Sequence, residues 1–156
     1  MTPSKINGAV IVEKAAWIRE MLANLKDLGL DDRDAFRMDR HKQAAAESYL
    51  RRALEALFDM GRHILAKKFG VAVPEYKEVA RVLFEKKVMT RKEAGRLRIM
   101  AGYRNRLVHF YHEIGPEELF EVCTKDTADI LLILNSLQRQ AKPLRAKRPG
   151  SSRRAR

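Results

Sequence analysis

Apolar residues recur every three or four positions through the middle of the chain: Tyr49, Leu50, Ala53, Leu57, Met60, Ile64 and Leu65. That spacing lays them along one stripe of an α-helix, whereas a strand would need alternation by twos. It predicts a long helix from about residue 34 or 40 to residue 69, ended by Gly70. Gly61 lies inside it and suggests a close approach by a neighbouring helix. The remaining segments agree. A first helix is expected over about residues 9–28, closed by Gly29. Pro74 opens a shorter third helix over about residues 75–87, burying Tyr76, Val79, Ala80 and Leu83. Thr90 followed by Glu93 is a capping-box pattern for a fourth helix, expected from residue 91 to 110 or 111, with Ala94, Leu97, Ala101 and Val108 as its apolar stripe. Gly115-Pro116 breaks the chain. A short helix over residues 117–123 and a longer apolar one over 126–140 follow. No Asn-Gly or Asp-Gly hairpin turn and no long alternating run signals a sheet. The expected fold is all-α, a bundle of four main helices with additional short ones.

The chain has 156 residues, 46% of them apolar, which suits one domain with a single core. No run approaches the roughly 20 apolar residues that a membrane span requires. Glu13, Lys14, Arg19 and Glu20 fall where an export signal would be apolar, so a cytoplasmic location is expected. Cys123 is alone, which excludes an intramolecular disulfide and a cysteine-rich zinc site. It reads as a core residue beside Val122, with a reactive thiol as the alternative.

The net charge of +12 is unevenly spread. Residues 142–156 hold seven basic and no acidic residues. With two prolines and a glycine, they are expected to form an unstructured basic tail after a helical domain over residues 1–141. A second excess lies in residues 86–106, with eight basic residues and the single acid Glu93. Such a stripe attracts phosphate, or is simply a solvated helix face.

The end of the fourth predicted helix reads YRNRLVHFYHE, residues 103–113. Arg104, Asn105, His109 and Tyr111 crowd into eight positions. An imidazole can accept the proton of a ribose 2′-hydroxyl, and a guanidinium can bind two oxygens of the attacked phosphate. RNA cleavage by that route needs no metal, since the nucleophile belongs to the substrate. No HExxH motif and no clustered acidic set suggests a metal site. Each residue also has an ordinary reading: His109 as a hydrogen-bonded boundary residue, Arg104 as a salt-bridge partner, Asn105 as a backbone cap, Tyr111 as a packing residue. His112 reads as solvent-facing, and His41 and His63 have no motif around them. Arg104 and His109 are five apart, about 140° round a straight helix. They meet on one atom only if the helix loosens near His109, or if a two-fold dimer brings two copies together.

Arg104-Asn105-x3-His109-x-Tyr111 resembles the R-x4-H-x-Y motif of HEPN-domain toxins of the HepT type. The flanking segments YLRRALEALFDMGRHILAKKFG and PEYKEVARVLFEKKVMTRKEAGRLRIMAGYRNRLVHFYHEI are similar to that family's helices, so the likeness covers about residues 40–137. The resemblance implies an up-and-down HEPN bundle that forms homodimers with the motifs of both chains lining a shared cleft. It implies a metal-independent endoribonuclease toxin acting on tRNA or mRNA, with no cofactor. Arg104 and His109 map onto the catalytic pair. Asn105 and Arg106 would position RNA. The expected partner is a minimal nucleotidyltransferase antitoxin of the MNT type, which transfers AMP to the motif tyrosine, here Tyr111. A non-catalytic HEPN scaffold that binds nucleotide or RNA beside a nucleotidyltransferase is the alternative. A third reading is a helical nucleic-acid binder using the basic stripe and tail.

Overall fold

A computed structural model describes residues 3–109 and 113–141. Phe110, Tyr111 and His112 lie outside the described residues, as does the basic tail of residues 142–156. The chain order is α1 (Gly8–Asp27), α2 (Arg33–Met38), α3 (Arg40–Phe69), α4 (Tyr76–Glu85), α5 (Arg91–His109), α6 (Pro116–Glu121), a π-helical turn (Val122–Asp126) and α7 (Thr127–Arg139). Among the described residues there is no strand, and no helix is long and apolar enough to cross a membrane.

α3 is the central member. α1 packs along it, and α5 and α7 complete the bundle, while α4 lies against α3 and α5, and α2 meets α6. One core joins them: Ile11, Ile18 and Leu25 from α1, Leu50, Leu57 and Ile64 from α3, Leu97 and Ala101 from α5, and Ile130, Ile133 and Leu137 from α7. Burying each large aliphatic side chain contributes about 1.5–3 kcal/mol against the entropy of ordering the chain.

The helix ends follow from local chemistry. Asn7 caps α1 by accepting from the amides of Ala9 and Val10. His63 Nε2 accepts from the Asn7 amide at 3.2 Å. This imidazole therefore ties α3 to the start of α1. Burial, with Lys67 and Lys14 nearby, lowers its pKa and favours the neutral ring that can accept. Gly70 ends α3 in the left-handed region at φ 66°, and its N–H returns to Ala66 O at 3.1 Å, the bond of an αL cap. Thr90 accepts from the Glu93 amide at 3.2 Å. The Glu93 carboxylate takes hydroxyls from Thr90 and from Ser136 on α7, so half of the capping box becomes a tertiary link.

The long second helix begins at the later of its two expected starts: Asp39 has an extended backbone and its carboxylate accepts from His41 and Lys42, capping α3 and separating it from the short α2. The last two helices are continuous in the chain through the π-helical turn. There Thr124 Oγ1 donates to Phe120 O at 2.7 Å, competing for the carbonyl that a regular turn gives to an amide. Cys123 sits in this turn, 5% exposed. Burial, followed by the charge of Asp126, pushes its thiol pKa up to about 12, so it packs as an unreactive core residue.

Gly61 is needed for close packing. A Cβ there would lie 3.1 Å from Val79 Cγ1 and 3.3 Å from Leu83 Cδ1, both on α4. Gly61→Leu is expected to destabilise the fold by about 1–3 kcal/mol, read as a lower urea midpoint. An unchanged midpoint would mean that α4 does not rest on α3 here.

Candidate active site

Three elements converge on Arg104. α5 carries it, α3 supplies Glu55, and the first residue of α4 supplies Tyr76. Tyr76 is set by the chain entering α4 after Pro74 and by the fully buried Phe58, whose ring centroid is 4.9 Å from its own. The Arg104 guanidinium lies over the Tyr76 ring at 4.2 Å. Its side chain is only 17% exposed. A cation over a half-buried ring gains about 1 kcal/mol.

The polar contacts of this arginine are sparse. Nη2 donates to Glu55 Oε1 at 3.4 Å and Nη1 to Asn105 Oδ1 at 3.3 Å. Nε is buried with no acceptor among the described residues. A guanidinium has five N–H donors, and charge-assisted bonds are normally near 2.8 Å. Glu55 is also shared, since Arg51 reaches its other oxygen at 3.2 Å. Arg104 is thus stacked in place but under-bonded. It opens with Asn105 onto a hollow of about 470 Å³, lined also by Arg62, Pro74, Glu75, Tyr76 and Lys77. Such a cation is suited to an incoming anion.

His109 is the last residue of α5 and is exposed. The helix is α-helical from Arg91 through His109, so it does not loosen ahead of the histidine. The five-residue step from Arg104 keeps its separation of about 140° within one chain. Tyr111 lies outside the described residues. Arg106 faces elsewhere: its guanidinium holds Glu118 through bonds of 2.6 and 2.8 Å, with Glu113 at 3.4 Å. Hydrogen bonds from Arg106 hold the Glu118 carboxyl below the usual carboxylate range. These bonds tie α5 to Glu113 and to the first turn of α6.

The basic stripe is also altered by packing. Arg96 pairs with Asp129, Arg104 with Glu55 and Arg106 with Glu118. Arg91 lies over the exposed Phe84 ring at 5.5 Å, and Arg98 is exposed. Sequence reasoning missed Glu55, Arg62 and Tyr76. No local pattern marks them, because tertiary packing alone brings them to Arg104. Among the described residues no group of three or more His, Cys, Asp or Glu side chains is placed to hold a metal.

The family model described as Ribonuclease HepT-like matches residues 18–137. The chain belongs to the HepT-like ribonuclease family. Solved structures agree on the fold. A tri-AMPylated HEPN toxin of Shewanella oneidensis in complex with an MNT antitoxin superposes with a TM-score of 0.76 at 22% identity, covering 83% of this chain and 97% of that one. A toxin–antitoxin with AMP-PNP gives a TM-score of 0.75 at 21% identity, covering 82% of this chain and 97% of the other. The Bacillus subtilis protein YutE, described as cytosolic and of unknown function, gives a TM-score of 0.69 at 18% identity, covering 88% and 90%. A comparison with curated protein sequences returns no match. The all-α HEPN fold expected from the resemblance is therefore the one this HepT-like chain adopts.

Proposed function

We propose that this HepT-like chain is a metal-independent endoribonuclease toxin that cleaves RNA by attack of the ribose 2′-hydroxyl. The observation that supports this best is Arg104: a guanidinium fixed on Tyr76, short of acceptors, and open to a hollow it shares with Asn105. Arg104 binds a non-bridging oxygen of the scissile phosphate and offsets the charge that builds on it. His109 takes the 2′-hydroxyl proton, the 2′-oxygen attacks phosphorus, and the 5′-oxygen of the next nucleotide leaves. The products are a 2′,3′-cyclic phosphate and a 5′-hydroxyl. Asn105 positions the RNA or the reacting groups.

Because α5 stays helical through His109, Arg104 and His109 of one chain point apart, and a homodimer supplies the missing partner residue. Control falls to a nucleotidyltransferase antitoxin of the MNT type that transfers AMP to Tyr111. An added phosphate beside Arg104 would occupy the RNA site with like charge. The helical domain over residues 1–141 carries all of this, and residues 142–156 add non-specific attraction to RNA.

The test is incubation of purified protein with total RNA in excess EDTA. Cleavage is expected to continue at its metal-replete rate. Loss of cleavage on chelation, restored by a divalent ion, would overturn the reading. Failure to cut any RNA, with or without metal, would favour the scaffold alternative.

A further inference from the structure

Arg104 is not the only guanidinium on Tyr76. Arg62, about two turns before the end of α3, lies over the same ring at 4.5 Å, against 4.2 Å for Arg104. Two like charges brought to one aromatic ring repel each other; the carboxylates near them are Glu55, shared with Arg51, and Glu75, which also lines the hollow. Arg62 donates to the backbone carbonyl of Pro74 and has no ion pair among the described residues. Arg104 has the long contact to Glu55, which also serves Arg51. The Nε atoms of Arg62 and Arg104 are the two buried side-chain nitrogens or oxygens without a hydrogen-bond partner among the described residues. Buried donors without acceptors are rare in folded proteins and call for an explanation. Both side chains line one hollow, with the exposed Lys77 and Glu75.

We infer that Arg62 is a second phosphate-binding cation, and that the hollow between Arg62, Tyr76 and Lys77 holds the phosphodiester adjacent to the one bound by Arg104. This rests on the reading of Arg104 as the scissile-phosphate ligand. An incoming phosphate screens the two guanidiniums from each other and gives their terminal N–H groups short, charged acceptors. Tyr76 sets their separation and so fixes where the strand lies. The anchoring of Arg62 to Pro74 also couples the site to the segment between α3 and α4.

The experiment measures binding of a 2′-O-methyl oligoribonucleotide, which cannot be cleaved, over a range of salt concentrations. Each lost contact with single-stranded nucleic acid lowers the slope of log K against log salt by about 0.7. Arg62→Gln is expected to weaken binding by about tenfold at low salt and to lower the slope by that amount. Arg62→Lys keeps the charge and should keep the slope, with weaker binding. A purely structural Arg62 would instead lower the melting temperature of both variants and leave both slopes at the wild-type value, which overturns the proposal. If Arg62→Gln does not fold, Lys77→Gln decides: a reduced slope supports the site and an unchanged slope refutes it. Wild-type protein that neither binds nor cuts RNA would refute the ribonuclease reading itself. Wild-type cleavage with an unaltered Arg62→Gln slope refutes only the role of Arg62.

Discussion

RNA cleavage by the Arg104→Ala variant is expected to fall by on the order of 10³-fold, the scale seen when one preorganised charge donor is removed from a phosphoryl or oxyanion site. The loss should include binding, because the guanidinium meets the phosphate before the reaction as well as during it. Stability should change much less. Glu55 keeps its 3.2 Å pairing with Arg51 when Arg104 is gone, so no carboxylate is left unpaired. What is lost is the cation–π contact on the half-buried Tyr76, worth about 1 kcal/mol. Circular dichroism and urea unfolding would separate the two effects. A variant that folds and still cuts RNA at the wild-type rate removes Arg104 from the chemistry.

His109→Ala is expected to behave differently. A general base contributes about 10²–10⁴-fold to rate and little to ground-state binding. Cleavage should fall by that factor, while affinity for a 2′-O-methyl oligonucleotide stays near the wild-type value. The contrast between the two variants carries the assignment: Arg104→Ala loses binding and rate, and His109→Ala loses rate alone. Equal cleavage by wild type and His109→Ala would remove the imidazole from the mechanism. Mixing the two inactive proteins also bears on the dimer, since a cleft that draws Arg104 from one chain and His109 from the other recovers part of the activity in mixed dimers.

Much of the architecture was legible because it depends on local rules. The three-and-four spacing along α3 survives as a buried stripe from Leu50 to Leu65, with Tyr49 at its edge. Gly29 and Gly70 both adopt positive φ at helix ends, a conformation glycine takes without strain. The break at Asp39 was harder to read. Its cap operates through one carboxylate and two amides, and residues 34 and 40 both looked able to start a helix. The π-helical turn depends on one threonine hydroxyl and leaves no periodic trace.

The candidate site divides in the same way. Arg104, Asn105, His109 and Tyr111 are close in sequence, so a motif can hold them. Glu55, Arg62 and Tyr76 come from α3 and α4, and only packing brings them to Arg104. Packing also thins the charge stripe. Counting basic residues along α5 cannot show that Arg96 and Arg106 face Asp129 and Glu118 from other elements. The cations left to meet an anion are fewer than the sequence suggests, and Arg62, which lies outside the stripe, joins them.

The chemistry of the cut ends tests the central claim most directly. RNA cleaved in EDTA by the purified chain should carry 2′,3′-cyclic phosphates on the upstream fragments and 5′-hydroxyls on the downstream ones, and a single 2′-deoxy substitution at the cleaved nucleotide should block that site. Upstream fragments ending in 3′-hydroxyls, or unimpaired cutting at the 2′-deoxy position, would show that the attacking oxygen comes from water, contradicting the mechanism built around Arg104 and His109.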